Sequence, residues 1–199
     1  MVRVALAIVL AALIIACDRN SVAPADQLLA PVGPSAAITT TEDVSTVGPH
    51  ATQGRLNVFV NMQDACDPVT FNQRGIACAR PGGVTFDQFI AGLTQLGFIG
   101  PWAFTPSTAT VEPGQTFVAT NRGGETHSFT QVADFGGGIV PLLNQLAHVP
   151  NVAPECGALE ADDFVPPGGT YREEVNHAGN LKFQCCIHPW MRLEAVSGR

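Results

Sequence analysis

Four glycine-bearing turns cut the C-terminal half of the chain into lengths suited to strands and little else. Glu112-Pro-Gly114, Arg122-Gly-Gly-Glu125, Pro166-Pro-Gly-Gly169 and His177-Ala-Gly-Asn180 fall among stretches rich in Val, Thr and Phe. Pro presets one turn torsion and Gly supplies a positive φ, so each cluster reverses the chain. Between the turns the spacing predicts strands over 116–121, 127–132, 170–175, 181–185 and 192–196. A further strand is expected over 102–111, at a sheet edge because Pro106 interrupts it. The turn at 177–180 is expected to join its two flanking strands as a hairpin. Upstream, residues 55–61 alternate, with Leu56, Val58 and Val60 on one face of a half-buried strand. One helix stands out: Phe86, Phe89, Ile90 and Leu93 recur at helical spacing, Thr85 and Gln88 fit a capping box, and Gly97 fits the stop. Residues 133–164 form a long excursion without clear strands, with a short helix expected over 142–146; such loops often carry function.

The 199 residues suffice for one domain with a sizeable core plus a tail, and 20 Gly and 15 Pro agree with a turn-rich all-β protein. The N-terminus reads as an address. Arg3 precedes an apolar run over 4–16, too short for a membrane-spanning helix of ~20 residues but right for a secretory signal. Ile14-Ile-Ala-Cys17 resembles the bacterial lipobox, in which the Cys becomes the lipidated N-terminus; the alternative is an ordinary signal peptide with Cys17 incidental. Residues 1–17 are thus expected to be a signal peptide, 18–54 a flexible tether rich in Ser, Thr, Ala and Pro, and 55–199 the folded domain. A lipidated Cys17 would anchor the protein to a membrane, on the periplasmic or cell-envelope side. Ten Lys and Arg without a basic cluster, and a net charge of -7, exclude nucleic acid as a partner class.

The chemistry gathers in Phe183-Gln-Cys-Cys-Ile-His-Pro-Trp-Met191. Cys185, His188 and Met191 offer a thiolate, an imidazole and a thioether at Cys-x-x-His-x-x-Met spacing, a donor mix that suits copper. Zinc would not need the Met, calcium and magnesium would want carboxylates, and covalent haem would need Cys-x-x-Cys-His. The bland alternatives are a vicinal disulfide between Cys185 and Cys186 and Met191 as core filler. Six cysteines in an exported chain imply an oxidising compartment. Setting aside Cys17 and Cys185 leaves Cys66, Cys78, Cys156 and Cys186, which allow three connectivities. Cys66 with Cys78 is the natural local pair, closing a loop worth ~3 kcal/mol and leaving Cys156 for Cys186.

From about residue 100 onward the sequence resembles the cupredoxins, the blue-copper β-sandwich proteins. Val111-Glu-Pro-Gly-Gln-Thr-Phe-Val-Ala-Thr-Asn121 followed by His127 is similar to their strand–turn–strand lead-in to the first copper His. Pro167-Gly-Gly-Thr-Tyr171, Ala178-Gly-Asn180 and Phe183-Gln-Cys185 are similar to the hairpin that delivers the Cys, and Cys185-x-x-His188-Pro-x-Met191 has the short amicyanin-like spacing. The resemblance implies a Greek-key β-sandwich holding one mononuclear copper through His127, Cys185, His188 and Met191. Two His and a thiolate would form a trigonal plane, with Met191 as the weak axial ligand. Residues 55–100 are not covered by it.

Three departures from the family pattern stand out. Ser128 follows the first His where Asn is common, which puts in doubt the brace that residue gives the ligand loop. The excursion is longer than a minimal cupredoxin needs. Cys186 sits beside the ligand Cys, and a Cys156–Cys186 bond would pin the excursion against the copper loop. Alternation along a strand lets Cys185 face metal while Cys186 faces that bridge.

The function expected is export-linked electron transfer, with copper cycling Cu(II)/Cu(I) and no enzymatic constellation in the chain. The alternatives are a copper carrier or sensor and a metal-free, disulfide-stapled scaffold. The partner implied is a redox protein such as a cytochrome or oxidoreductase. Trp190, between two expected ligands, is either core packing or part of an apolar docking patch around an exposed His188. The run Glu160-Ala-Asp-Asp163 is either a solvated face or a steering patch for a basic partner. His148 and His177 read as structural or solvated, and His50 as a solvated residue of the tether.

Overall fold

The computed structural model describes residues 57–198; the expected signal peptide, Cys17, His50 and the whole of the tether lie outside the described residues. Two four-stranded sheets carry the domain. The first runs β2-β1-β4-β8, from strands β1 (Val58–Gln63), β2 (Ala103–Thr105), β4 (Thr116–Asn121) and β8 (Thr170–Glu174). The second runs β3-β10-β9-β6, from β3 (Thr108–Val111), β6 (Thr130–Val132), β9 (Gly179–Gln184) and β10 (Arg192–Ser197). A two-stranded ladder joins β5 (His127–Ser128) to β7 (Phe164–Val165). β1 with β4 and β3 with β10 pair in parallel, and the other pairs are antiparallel. The all-β architecture expected from the turn pattern is therefore present, as the two-sheet sandwich that the resemblance implies.

Inward-facing apolar side chains of both sheets form one core. Val60, Met62, Phe104, Phe117 and Ala119 from the first sheet join Val111, Leu181, Phe183, Leu193 and Ala195 from the second. Phe117 meets Phe183 with ring centroids 5.0 Å apart, and Phe129 stacks on Phe183 at 4.6 Å. Burying such a ring stabilises the fold by several kcal/mol, on the order of 3–5 judged by truncation to Ala. Each strand's period of two delivers these residues: along β10, Leu193, Ala195 and Ser197 are buried while Glu194 and Val196 face outward.

The predicted strand over 102–111 is two strands in different sheets. β2 pairs with β1 and β3 with β10, and both are edges, so Pro106 marks a change of sheet as well as an edge. The hairpin expected at 177–180 is not formed. β8 pairs with β4, whereas β9 pairs with β10 and β6, so the turn crosses from one sheet to the other. Val175 explains the crossing. It is buried and exchanges backbone hydrogen bonds with the Gly114–Gln115 turn, which ties the end of β8 to the first sheet. The true hairpin is β9–β10, closed by residues 185–191. Gly114 and Gly168 both sit at φ 84°, a conformation that requires glycine in these turns.

Helix α2 (Phe86–Leu96) has the expected capping box at Thr85 and a left-handed Gly97 at its end. A short helix not anticipated from sequence, α1 (Pro68–Asn72), lies inside the 63–83 loop, where Asp67 caps it and Pro68 opens it. The Cys66–Cys78 disulfide staples that loop. Phe71 of α1 packs edge-on to Phe86 and Phe89 of α2 and stacks on Trp102, which roots both helices in the core.

In the excursion, α3 (Pro141–Leu146) matches the predicted short helix, two 3-10 turns follow, and β7 closes it. It is tied to the segment at 184–186. Cys156 bonds Cys186, the Ile139 N–H donates to the Cys186 carbonyl at 2.7 Å, and the Gln184 amide exchanges two hydrogen bonds with Gly136. A Cβ at Gly138 would overlap the Cys186 carbonyl, so that contact depends on glycine. Among the described residues, no helix is long and apolar enough to cross a membrane.

Candidate metal centre

Cys185 follows β9 directly, and the backbone folds back at once. The Cys185 N–H donates to the Met191 carbonyl at 3.0 Å, and the Met191 N–H to the His188 carbonyl at 2.9 Å. This tight loop turns His188 toward the sulfur that precedes it. His127 arrives on β5, held by pairing with Val165 of β7. The Nδ1 atoms of His127 and His188 each lie 3.8 Å from Cys185 Sγ, and all three residues are buried. The three donor atoms lie within 4.8 Å of one another. Met191 is fully buried in the same core cluster as Cys185. Cys185 is the free cysteine among the described residues, so the vicinal disulfide is excluded.

Two backbone N–H groups point at the sulfur, from Ser128 and His188, each at 3.4 Å. Burial pushes the Cys185 thiol up, but hydrogen bonding and charge from His127 and His188 outweigh it and hold the thiol well below its ordinary value. A thiolate at this position is what a soft metal ion requires. Ser128, whose shorter side chain put the brace in doubt, does reach the loop: its Oγ accepts from the Cys186 N–H at 2.8 Å. Cys185 and Cys186 face opposite ways as alternation suggested, one toward the histidines and one toward Cys156.

Two carboxylates behind the histidines escaped the sequence reading. Asp64 Oδ2 lies 2.9 Å from His127 Nε2, with both side chains fully buried. Its oxygens also accept backbone N–H groups from Cys66, Gly124 and Glu125 at 3.2, 2.9 and 3.0 Å. Burial pushes the Asp64 carboxyl up, but the His127 bond and the Glu125 and Gly124 N–H groups outweigh it and hold it at about 2. For His127, burial opposes the protonated ring, and Asp64 and Cys185 outweigh it, lifting the imidazole to about 9. Glu125 accepts from Trp102 Nε1 at 2.6 Å and stands 3.7 Å from His188 Nε2, beyond hydrogen-bond range. Burial dominates there and raises the Glu125 carboxyl. The available signal for Asp64 was the Gly123-Gly124 pair. A Cβ at Gly123 would overlap the Asp64 carboxylate, and one at Gly124 would come within 2.7 Å of Cys66 Sγ.

His188 is only 2 % exposed, so the open imidazole edge expected from the resemblance is covered. α1, α2 and α3 close around a cavity of about 210 Å³ lined by Phe71, Phe86, Phe89, Leu143 and Ile187 together with His188. Trp190 is half-buried, edge-on to His188 at 5.5 Å and 6.0 Å from Phe89, so it packs against the core more than it projects. His148 and His177 are exposed and take no part in the site.

Fold and site together define a β-sandwich with a buried His-Cys-His cluster at one hairpin. No family model and no curated protein matches the sequence. Among solved structures, the chain is similar to a purple cupredoxin from Nitrosopumilus maritimus, at 11% identity over 71% of this chain and 100% of that one, with a TM-score of 0.41. It is similar to oxidised plastocyanin from Dryopteris crassirhizoma, at 15% identity over 71% and 100%, with a TM-score of 0.37. A Cu(I) form of an amicyanin variant is similar at 18% identity over 48% and 73%, with a TM-score of 0.34. These likenesses are distant; the chain's own donor set defines its chemistry.

Proposed function

We propose that this chain is an exported copper-binding electron-transfer protein rather than an enzyme. His127, Cys185 and His188 would hold one copper ion, with Met191 as the weak axial ligand. The observation that carries the reading is the convergence of two Nδ1 atoms on one buried thiolate, 3.8 Å each. That soft, mixed donor set fits copper. Bound copper would supply the one-electron change between Cu(II) and Cu(I).

The protein's own part is to fix the donors. Sulfur orientation is set by the Ser128 and His188 N–H groups, and the hairpin by the Cys185–Met191 ladder. Donors that cannot relax keep one geometry through a change of charge, which lowers the reorganisation that electron transfer costs. His188 is buried beneath residues of α1, α2 and α3. This closure also opposes the carrier reading, which needs an accessible ion. The lipid anchor at Cys17, the cell-envelope location and a redox-protein partner docking near Trp190 belong to the same proposal and rest on the sequence signals.

Titration with copper followed by voltammetry tests the reading. One ion per chain, cycling reversibly while a Cu(I) chelator is present, is the expected result. Loss of the ion on reduction would favour the carrier, and no binding by reduced, thiol-intact protein would favour the scaffold.

A further inference from the structure

We infer that Asp64 is a positioning residue for the copper site, fixing His127 with its proton on Nε2 so that Nδ1 is presented to the metal. The inference rests on the copper reading for its functional meaning, but its geometry stands independently. An imidazole can offer either nitrogen, and the hydrogen bond made by one decides which is left free. Here Nε2 is 2.9 Å from Asp64 Oδ2, while Nδ1 faces Cys185 Sγ. The carboxylate cannot swing away, because three backbone N–H groups hold it from two directions. The same three bonds show why Asp is used at position 64. A carboxylate is acceptor-only, so every one of these donors is satisfied, whereas an amide would turn its NH2 against one of them.

Asp64 reaches the site from the end of β1, 63 residues before His127. It lies in the part of the chain that the cupredoxin resemblance does not cover. The stapled Cys66–Cys78 loop, the glycine pair at 123–124 and Asn121 all serve this approach. Asn121 Oδ1 accepts from the Gly123 N–H at 2.9 Å, and its Nδ2 donates to the Glu125 and Val165 carbonyls. Among the described residues His188 has no equivalent hydrogen-bonded carboxylate, since Glu125 is 3.7 Å away and engaged by Trp102. The two histidines would therefore differ in donor strength, with His127 the more electron-rich.

The test has two arms. In the 15N-labelled wild-type protein, metal-free and loaded with Cu(I), the His127 ring proton should be found on Nε2 and protected from exchange. A ring whose Nε2 carries no proton, or an Nε2 proton that exchanges freely in both forms, overturns the inference whether or not copper binds. In the second arm, Asp64→Asn should weaken Cu(II) affinity ~10–100-fold. A Cu(I) affinity that falls ~10-fold less would raise the reduction potential by about 59 mV. A folded Asp64→Asn protein with unchanged affinities and potential also overturns it. If that variant fails to fold, the wild-type proton position decides. If wild type binds no copper at all, the functional reading fails while the proton position still tests Asp64.

Discussion

Cys185 and Cys186 are chain neighbours that serve opposite sides of the β9–β10 hairpin. Cys185 lies in the main core with the histidines, and Cys186 is bonded to Cys156 in a separate small cluster with Val132 and Ala153. One residue step, where the chain leaves β9 and turns, thus separates a metal-facing thiolate from a structural bridge. The bridge fixes the excursion that covers His188.

Removing both bridge cysteines, Cys156→Ala with Cys186→Ala, should cost about 3–4 kcal/mol, the loop-closure value for a crosslink of this span. Denaturant unfolding measures it. The donor set is untouched, so copper stoichiometry should stay at one while His188 becomes more accessible to solvent. An unchanged stability would mean that the excursion holds itself in place without the bridge.

Trp102→Phe removes the N–H that Glu125 accepts at 2.6 Å. A buried carboxylate left unpaired should cost about 1–3 kcal/mol. The same substitution on a Glu125→Gln background should cost less, because the charge is gone. A double-mutant cycle in thermal or chemical unfolding reads the difference; equal costs would show that Trp102 acts by packing alone.

Gly123→Ala should place a methyl group against the Asp64 carboxylate. The expected penalty is about 1–3 kcal/mol for forced overpacking, with a matching loss of copper affinity. Gly83→Ala is the control, since a Cβ there meets nothing within 4 Å. Calorimetry with copper titration compares the two.

Thr85→Ala should cost about 1 kcal/mol by removing the capping box of α2. α2 covers the cavity over His188 and contributes no donor, so the copper spectrum should be unaltered while amide exchange in the helix quickens.

Much of this arrangement was readable from the chain. The Pro-Gly turns, α2 with both caps and β4 were all marked by local chemistry, because each depends on residues a few positions apart. His127, Cys185 and His188 were found by spacing and resemblance, and the structure brings them together. What could not be read was set by distant contacts. No period ties Asp64 to His127, and only the close approach permitted by Gly123 hints at it. The turn after β8 looked like a hairpin because the choice of sheet is made by Val175 against the Gly114–Gln115 turn, a tertiary contact. Coverage of His188 likewise depends on α1 and α3, short helices far apart in the sequence.

The most direct measurement is the visible absorption of the Cu(II)-loaded protein beside its Cys185→Ala variant. An intense charge-transfer band in the wild type, absent from the variant, is the result this account expects of a copper–thiolate centre. A wild-type protein that takes up Cu(II) with its thiol intact yet shows no such band, or a band that survives Cys185→Ala, would contradict it.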